Sequence, residues 1–230
     1  MSLAGRRAFS AGRGPGVITP DGCSVEVYAA LPVGREPEII HAAAPEGGSI
    51  LELGCGVGRV THSLVALGHP VTAVDESPQM LARVRGAATV CSPIEALALP
   101  RRFDAVVLAS HLVNVPDDNL LATFLACCAR HVAADGCVVI ERFPERWFGD
   151  VTENVTERDG IAFRLRDVSR PGPDLVAATV EYRIGEREWS QSFVTRRLDD
   201  ARLRDRLRDV GLRFEAALTD DGAWVLARPA

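Results

Sequence analysis

The chain has 230 residues, 47% hydrophobic and 25% charged, the profile of a globular protein with one α/β domain and an appendage. Its net charge of −5 offers no electrostatic footprint for nucleic acid, and no run of about 18 apolar residues is present to cross a membrane. All 26 basic residues are arginine, which excludes Schiff-base, P-loop and kinase chemistry, each of which needs a lysine.

Residues 1–20 are rich in Gly, Arg and Pro without periodicity and read as a loose tail, lacking the apolar run of a secretory signal. Short helices are expected at 24–31 and 36–44. The chain then alternates. A strand SILELG (49–54) precedes a helix over 59–67 with Gly68 at its C-cap, and a strand PVTAVD (70–75) precedes a helix from Ser77-Pro78 through Val84. A short strand at 88–90, a strand FDAVVLAS (103–110), a long helix over 117–132 and a strand ending CVVIE (137–141) follow. Strands this apolar, alternating with helices, require a mostly parallel sheet covered on both faces.

After Phe148 the signal changes. Two antiparallel hairpins are expected between 151 and 197, turning at Asp159-Gly160 and at Gly185. A charged helix over 199–210, with Leu203 and Leu207 on one face, and strands at 213–218 and 223–227 close the chain around a third Asp-Gly turn. The six cysteines (Cys23, Cys55, Cys91, Cys127, Cys128, Cys137) have no C-x-x-C spacing and read as reduced thiols of a cytoplasmic protein. The five histidines show no ligand spacing, so no metal site is expected.

The strongest signal is ILELGCGVGR (50–59), a strand that ends in Gly-x-Gly-x-Gly and opens into a helix. Glycines turn the backbone tightly and let a ligand lie against it. Asp75 ends the next strand, 21 positions after Gly54, where its carboxylate can accept hydrogen bonds from both hydroxyls of a ribose. Two ligand classes use this layout. A dinucleotide wants a third glycine where Arg59 stands; S-adenosylmethionine carries no phosphate and needs only the turn. Glu52, two residues before Gly54, can anchor a methionine ammonium.

On these residues the sequence resembles the class I S-adenosylmethionine-dependent methyltransferases of bacterial small-molecule type, over about residues 50–141. ELGCGVGR matches the family's first motif and VDESPQML (74–81) its second, while residues 89–113 resemble the third and fourth. The resemblance implies a Rossmann-like, seven-stranded, mostly parallel sheet with an antiparallel β-hairpin insertion after strand five. It implies S-adenosyl-L-methionine as cofactor and S-adenosyl-L-homocysteine as product. Gly54, Cys55, Gly56 and Gly58 would lie under the cofactor's amino-acid tail, and Asp75 would hold the ribose. Glu76 and Met80 would flank ribose and adenine, Met80 being equally a core side chain by its spacing. Ser92 and Ile94 would stand at the adenine, where the family commonly has an aspartate and this chain has Ser92-Pro93.

Ligands of open parallel sheets bind beyond the carboxyl ends of the strands. Ser110, His111 and Asn114, after strand four, therefore face the transferable methyl, with His111 either a base or a structural histidine that hydrogen-bonds the chain across the cleft, and Asn114 able to orient the acceptor. Glu141 contacts the acceptor or closes a salt bridge, and Tyr28 lies on an N-terminal lid. Trp189 shares one strand face with Gln191 and Phe193 as a pocket wall or as packing against the core. No N-P-P-Y, D-P-P-Y or Pro-Cys follows strand four, so the expected acceptor is a small organic molecule. Neither nucleic acid nor membrane is an expected partner, and the chain is a monomer or homodimer. The arginine-only composition suggests a GC-rich bacterial genome, where such enzymes tailor secondary metabolites. The alternatives are an NAD(P)-dependent oxidoreductase and a non-catalytic S-adenosylmethionine-binding protein. The expected organisation is a tail and helical lid (1–48), the cofactor-binding core (49–148), the antiparallel insertion (149–197) and the closing helix and strands (198–230).

Overall fold

The structure, a computed structural model, describes residues 9–230. It begins with β1 (Ser10–Arg13), α1 (Val25–Ala30) and α2 (Glu36–Ala43). The alternating region is β2 (Ile50–Leu53), α3 (Arg59–Ala66), β3 (Val71–Asp75), α4 (Pro78–Leu81), β4 (Ala88–Cys91), β5 (Phe103–Leu108), α5 (Asp118–His131) and β6 (Val132–Glu141). Then come α6 (Glu145–Asp150) and four strands, β7 (Asn154–Arg158), β8 (Ile161–Gly172), β9 (Leu175–Ile184) and β10 (Arg187–Arg196). The chain closes with α7 (Asp200–Arg208), β11 (Leu212–Ala217) and β12 (Trp224–Pro229).

Two sheets form. The seven-stranded one has the order β11-β12-β6-β5-β2-β3-β4, parallel from β4 to β6, with β12 antiparallel to β6 and β11 antiparallel to β12. The five-stranded one, β1-β10-β9-β8-β7, is antiparallel throughout. The chain moves outward from β2 to β4 and then returns to β5 on the other side of β2. That reversal opens a crevice at the carboxyl ends of β2 and β5.

The parallel strands are apolar because both faces are covered. Leu51, Leu53, Val106 and Leu108 pack on one face with Phe124 and Leu125 of α5. Ile50, Ala105 and Val107 pack on the other with Ile40 of α2 and Val60 and Leu64 of α3. Phe124 is fully buried, so its truncation to alanine would cost about 3–5 kcal/mol. Ser24, Ser77, Asp117 and Asp199 start α1, α4, α5 and α7, each accepting a hydrogen bond from an amide of the first turn.

Three sequence expectations change. Residues 10–13 are not tail: β1 pairs with β10 from Ser10↔Phe193 to Arg13↔Ser190. Ser-Ala-Gly-Arg has little strand propensity, and the strand exists because β10 offers an unpaired edge. Ile18 also bridges Ser24, and residues 1–8 of the expected tail lie outside the described residues. The helix expected through Val84 ends at Leu81, after which Arg83 N and Val84 N donate to Met80 O and Leu81 O in tighter i−3 turns. The two hairpins join through β8 and β9 into one meander, and α6 precedes them without a sequence signal.

Candidate active site

The glycine turn connects β2 to α3. Gly54, Gly56 and Gly58 have φ of +73°, +56° and +85°, a region that side chains with a Cβ avoid. A Cβ on Gly54 would stand 2.9 Å from Leu112 Cδ1, so the turn also lies close under the segment after β5. Asp75, at the end of β3, accepts the amide of Gly56 on Oδ2 at 2.9 Å and the amide of Ser77 on Oδ1 at 2.8 Å. One carboxylate thus ties together the turns that follow β2 and β3.

These turns open on a cavity of about 340 Å³ between the two sheets. Eleven of the residues singled out from the sequence line it: Tyr28, Gly54, Gly56, Asp75, Glu76, Met80, Ser92, Ile94, Ser110, His111 and Asn114. The inner face of the five-stranded sheet supplies Val180, Tyr182, Gln191 and Phe193. Strand alternation had put Gln191 and Phe193 on one face, and the pairing Val180↔Gln191 completes that wall. Phe9, Asp21, Cys23, Phe143 and Thr195 also line the cavity and carried no sequence signal.

Five of the expected residues do not line it. Glu52 is 4% exposed and accepts the Thr61 hydroxyl at 2.5 Å; burial raises its carboxyl to about 7. Cys55 packs beneath the turn with Ala73 and Val84, and burial pushes its thiol up. Gly58 faces His62 and Val84 at the start of α3. Trp189 is 3% exposed and donates from Nε1 to the Pro15 carbonyl at 2.8 Å, so it anchors the segment after β1. Glu141 sits behind Ser110, whose amide it accepts on Oε2 at 2.6 Å.

Asn114 is on the cavity wall, but its side chain is engaged elsewhere. Nδ2 donates to the Arg196 carbonyl at 2.8 Å and Oδ1 accepts the Phe143 amide at 2.9 Å. Thr195 Oγ1 in turn donates to the Asn114 carbonyl at 3.2 Å. The expectation that Asn114 orients the acceptor is therefore replaced: it joins the turn after β5 to β10 and to the segment after β6.

Ser110 and His111 have φ of +55° and +57°, two successive left-handed residues that are not glycine. The imidazole stacks on Phe143 at 3.9 Å, and Phe143 stacks on Trp147 at 4.2 Å. A third of the His111 side chain remains open to solvent, while Nδ1 is covered and has no hydrogen-bond partner among the described residues. Burial pushes this imidazole down to about 4, against the pull of Glu36 and the Arg142 carbonyl. The ring is neutral at neutral pH. Across the cavity the Cys23 thiol, and burial after it, hold the Tyr28 phenol well above its ordinary value, with Tyr182 and Asp21 adding to the effect.

This arrangement fits an adenosyl amino-acid ligand without phosphate. The left-handed glycines leave a cradle that any Cβ would fill, Asp75 offers carboxylate oxygens, and Met80 and Ile94 offer an apolar slot. Among the described residues no group of three His, Cys, Asp or Glu is placed to hold a metal ion, and no helix is long and apolar enough to cross a membrane.

Comparison with known proteins agrees. Residues 50–136 match the family model described as a methyltransferase domain. The Bacillus subtilis protein named "Putative methyltransferase YqeM" is 27% identical over 150 residues, 57% of this chain and 60% of that one. A ubiquinone biosynthesis O-methyltransferase of Xanthomonas campestris is 32% identical over 119 residues, 47% of this chain and 48% of that one. The chain thus spans between 48% and 60% of the length of these curated relatives. In fold it is similar to S-adenosylmethionine-bound CalS10, an amino pentose methyltransferase of Micromonospora echinaspora involved in calicheamicin biosynthesis. The TM-score is 0.68 at 22% identity, over 91% of this chain and 93% of that one. In fold the chain is similar to S-adenosylmethionine-dependent methyltransferases, and the match over residues 50–136 falls on its α/β core.

Proposed function

We propose that this protein transfers a methyl group to a small organic acceptor held between the two sheets. The observation that carries the reading is one cavity that runs from the glycine turn and Asp75 to the inner face of the antiparallel sheet, with His111 on its wall. S-adenosylmethionine, when bound, supplies an activated methyl on a sulfonium. Gly54 and Gly56 present backbone to its amino-acid portion, Asp75 takes the ribose hydroxyls, and Met80 and Ile94 cover the adenine, with Glu76, Ser92 and Ser110 alongside. Tyr28 closes over the cofactor from α1. Neutral His111 accepts the proton the acceptor gives up. The sheet wall of Val180, Tyr182 and Phe193 suits an acceptor with an apolar body. A role in tailoring secondary metabolites is supported by the likeness to CalS10. Six free cysteines suit a cytoplasmic enzyme.

An NAD(P)-dependent oxidoreductase is disfavoured by Arg59, which stands where the dinucleotide fingerprint has its third glycine and pairs with Glu36 at 2.7 Å. Thermal unfolding separates the readings. S-adenosylhomocysteine at 100 times its dissociation constant should add about 2.7 kcal/mol, or about 5–10 °C in a chain of this size. An equal or larger shift with NADH would overturn the assignment. A purely binding role is tested by labelled-methyl transfer to a panel of small amines, phenols and carboxylic acids. Tight S-adenosylhomocysteine binding with no transfer to any of them favours the binder.

A further inference from the structure

We propose that Glu141 is a positioning residue for the transfer step: its carboxylate locks the turn that presents His111 and takes over the proton that the imidazole removes from the acceptor. The inference rests on the methyl-transfer reading above and assigns a role to a side chain outside the cavity.

Ser110 and His111, both left-handed, need an outside restraint to persist. Glu141 provides it from the end of β6, with Oε2 holding the Ser110 amide at 2.6 Å. Its other oxygen, Oε1, lies 4.0 Å from His111 Nε2. Phe143 covers one face of the ring, and Trp147 backs Phe143. One carboxylate therefore holds the backbone of the turn and stands beside the imidazole.

The charges around Glu141 come from three elements. The turn after β5 brings the Ser110 amide and His111. Helix α2 brings Glu36, whose Oε2 is buried without a partner among the described residues. Helix α3 brings Arg59, which donates to Glu36 Oε1 at 2.7 Å and to the Pro32 carbonyl at 3.2 Å. Two carboxylates thus share one guanidinium, and Glu36 has taken it. Burial raises the Glu141 carboxyl to about 7, with Glu36 adding to the rise and the Ser110 amide and Arg59 opposing it. The imidazole is displaced the other way, to about 4. A proton arriving on the ring therefore moves on to the carboxylate.

The step balances. The acceptor atom keeps the electron pair of its bond to hydrogen and uses it for the new bond to the methyl carbon. The proton passes to the His111 imidazole, whose side chain is one-third open. The proton on Nε2 passes to Glu141 Oε1, which leaves a neutral imidazole and a carboxylic acid. Glu141 is 16% exposed, so the acid can return its proton to water between turnovers.

The test needs no acceptor. The full chain with 15N-labelled histidines is titrated by NMR from pH 5 to 9 in the presence of S-adenosylhomocysteine. His111→Gln identifies the His111 signals among the five histidines. The His111 nitrogens should keep neutral-imidazole shifts throughout and show an inflection near pH 7 as Glu141 ionises. Glu141→Gln, whose amide oxygen can still accept from Ser110, should abolish that inflection. Glu36→Gln should move it to lower pH, since Glu36 raises the Glu141 carboxyl. The proposal is overturned if wild type lacks the inflection, if Glu141→Gln retains it, or if Glu36→Gln leaves it in place. Failure of wild type to bind S-adenosylhomocysteine would instead overturn the methyl-transfer reading, so the two failures are distinguishable.

Discussion

The Asn114 side chain donates to the Arg196 carbonyl at 2.8 Å, across 82 positions of sequence, and so fastens the last strand of the antiparallel sheet to the turn that carries His111. Both ends of the amide are used, and Asn114 is 1% exposed. Asn114→Ala strands a buried carbonyl and a buried amide, which should cost about 2–4 kcal/mol in urea unfolding. Asn114→Asp keeps the acceptor for Phe143 but turns a carboxylate toward the Arg196 carbonyl, so it should be destabilised more at pH 8 than at pH 4. A change under about 0.5 kcal/mol for both would remove Asn114 from this role.

Asp75 holds two backbone amides besides the ribose proposed for it. Asp75→Ala should weaken S-adenosylhomocysteine by about 10- to 200-fold, the worth of hydrogen bonds to a charged acceptor. Asp75→Asn retains one acceptor oxygen and should fall between. Calorimetric titration reads both, and unchanged affinity in a folded alanine variant would separate Asp75 from the ligand.

Glu52 makes a pH prediction. Its folded pKa, about 7, lies above the ordinary carboxyl value of 4.5, so the folded state binds the proton more tightly than the unfolded state. Its contribution to stability is fully present below 4.5 and is lost as pH rises toward 7. Glu52→Gln cannot ionise and still accepts from Thr61. The stability of the variant relative to wild type should climb between pH 4.5 and 7 by about 2–3 kcal/mol and then level off. A flat difference across denaturation curves in that window would show the carboxylate to be solvated after all.

Trp189 anchors the chain around Pro15. Trp189→Phe keeps a smaller aromatic ring and loses the donor, which should cost about 1–3 kcal/mol from the lost hydrogen bond and the cavity left in this buried site. The loss is local, so limited proteolysis should cut the 14–17 segment faster than in wild type while core amides keep their hydrogen-exchange protection. Cleavage at the wild-type rate would show that packing alone holds the segment.

Much of this arrangement is legible in the sequence because it is local. The glycine turn and the caps at Ser77 and Asp117 act over a few residues, Asp75 stands at the end of the next strand at a readable spacing, and the alternation of apolar strands with helices follows from burial on both faces. What escapes is what depends on distant partners. β1 has no propensity of its own and borrows an edge from β10. Asn114 and Trp189 are polar groups at plausible site positions, and their carbonyl partners lie 82 and 174 positions away. Glu52 has the residue type and spacing of a ligand anchor, yet Thr61 on the facing helix turns it inward. Glu141 stands one strand away from the expected base, and only the fold brings its carboxylate to the Ser110 amide.

The pairing of β1 with β10 also sets a timetable. Ribosomes make the chain from its N-terminus, so Ser10 leaves the tunnel long before Phe193, the residue it must face. The seven-stranded sheet can assemble β2 to β6 while translation proceeds, but the compartment above it lacks a roof throughout that time. Nascent chains therefore carry an open glycine turn beside a half-built wall, and enclosure of the ligand becomes one of the latest events in the birth of the molecule.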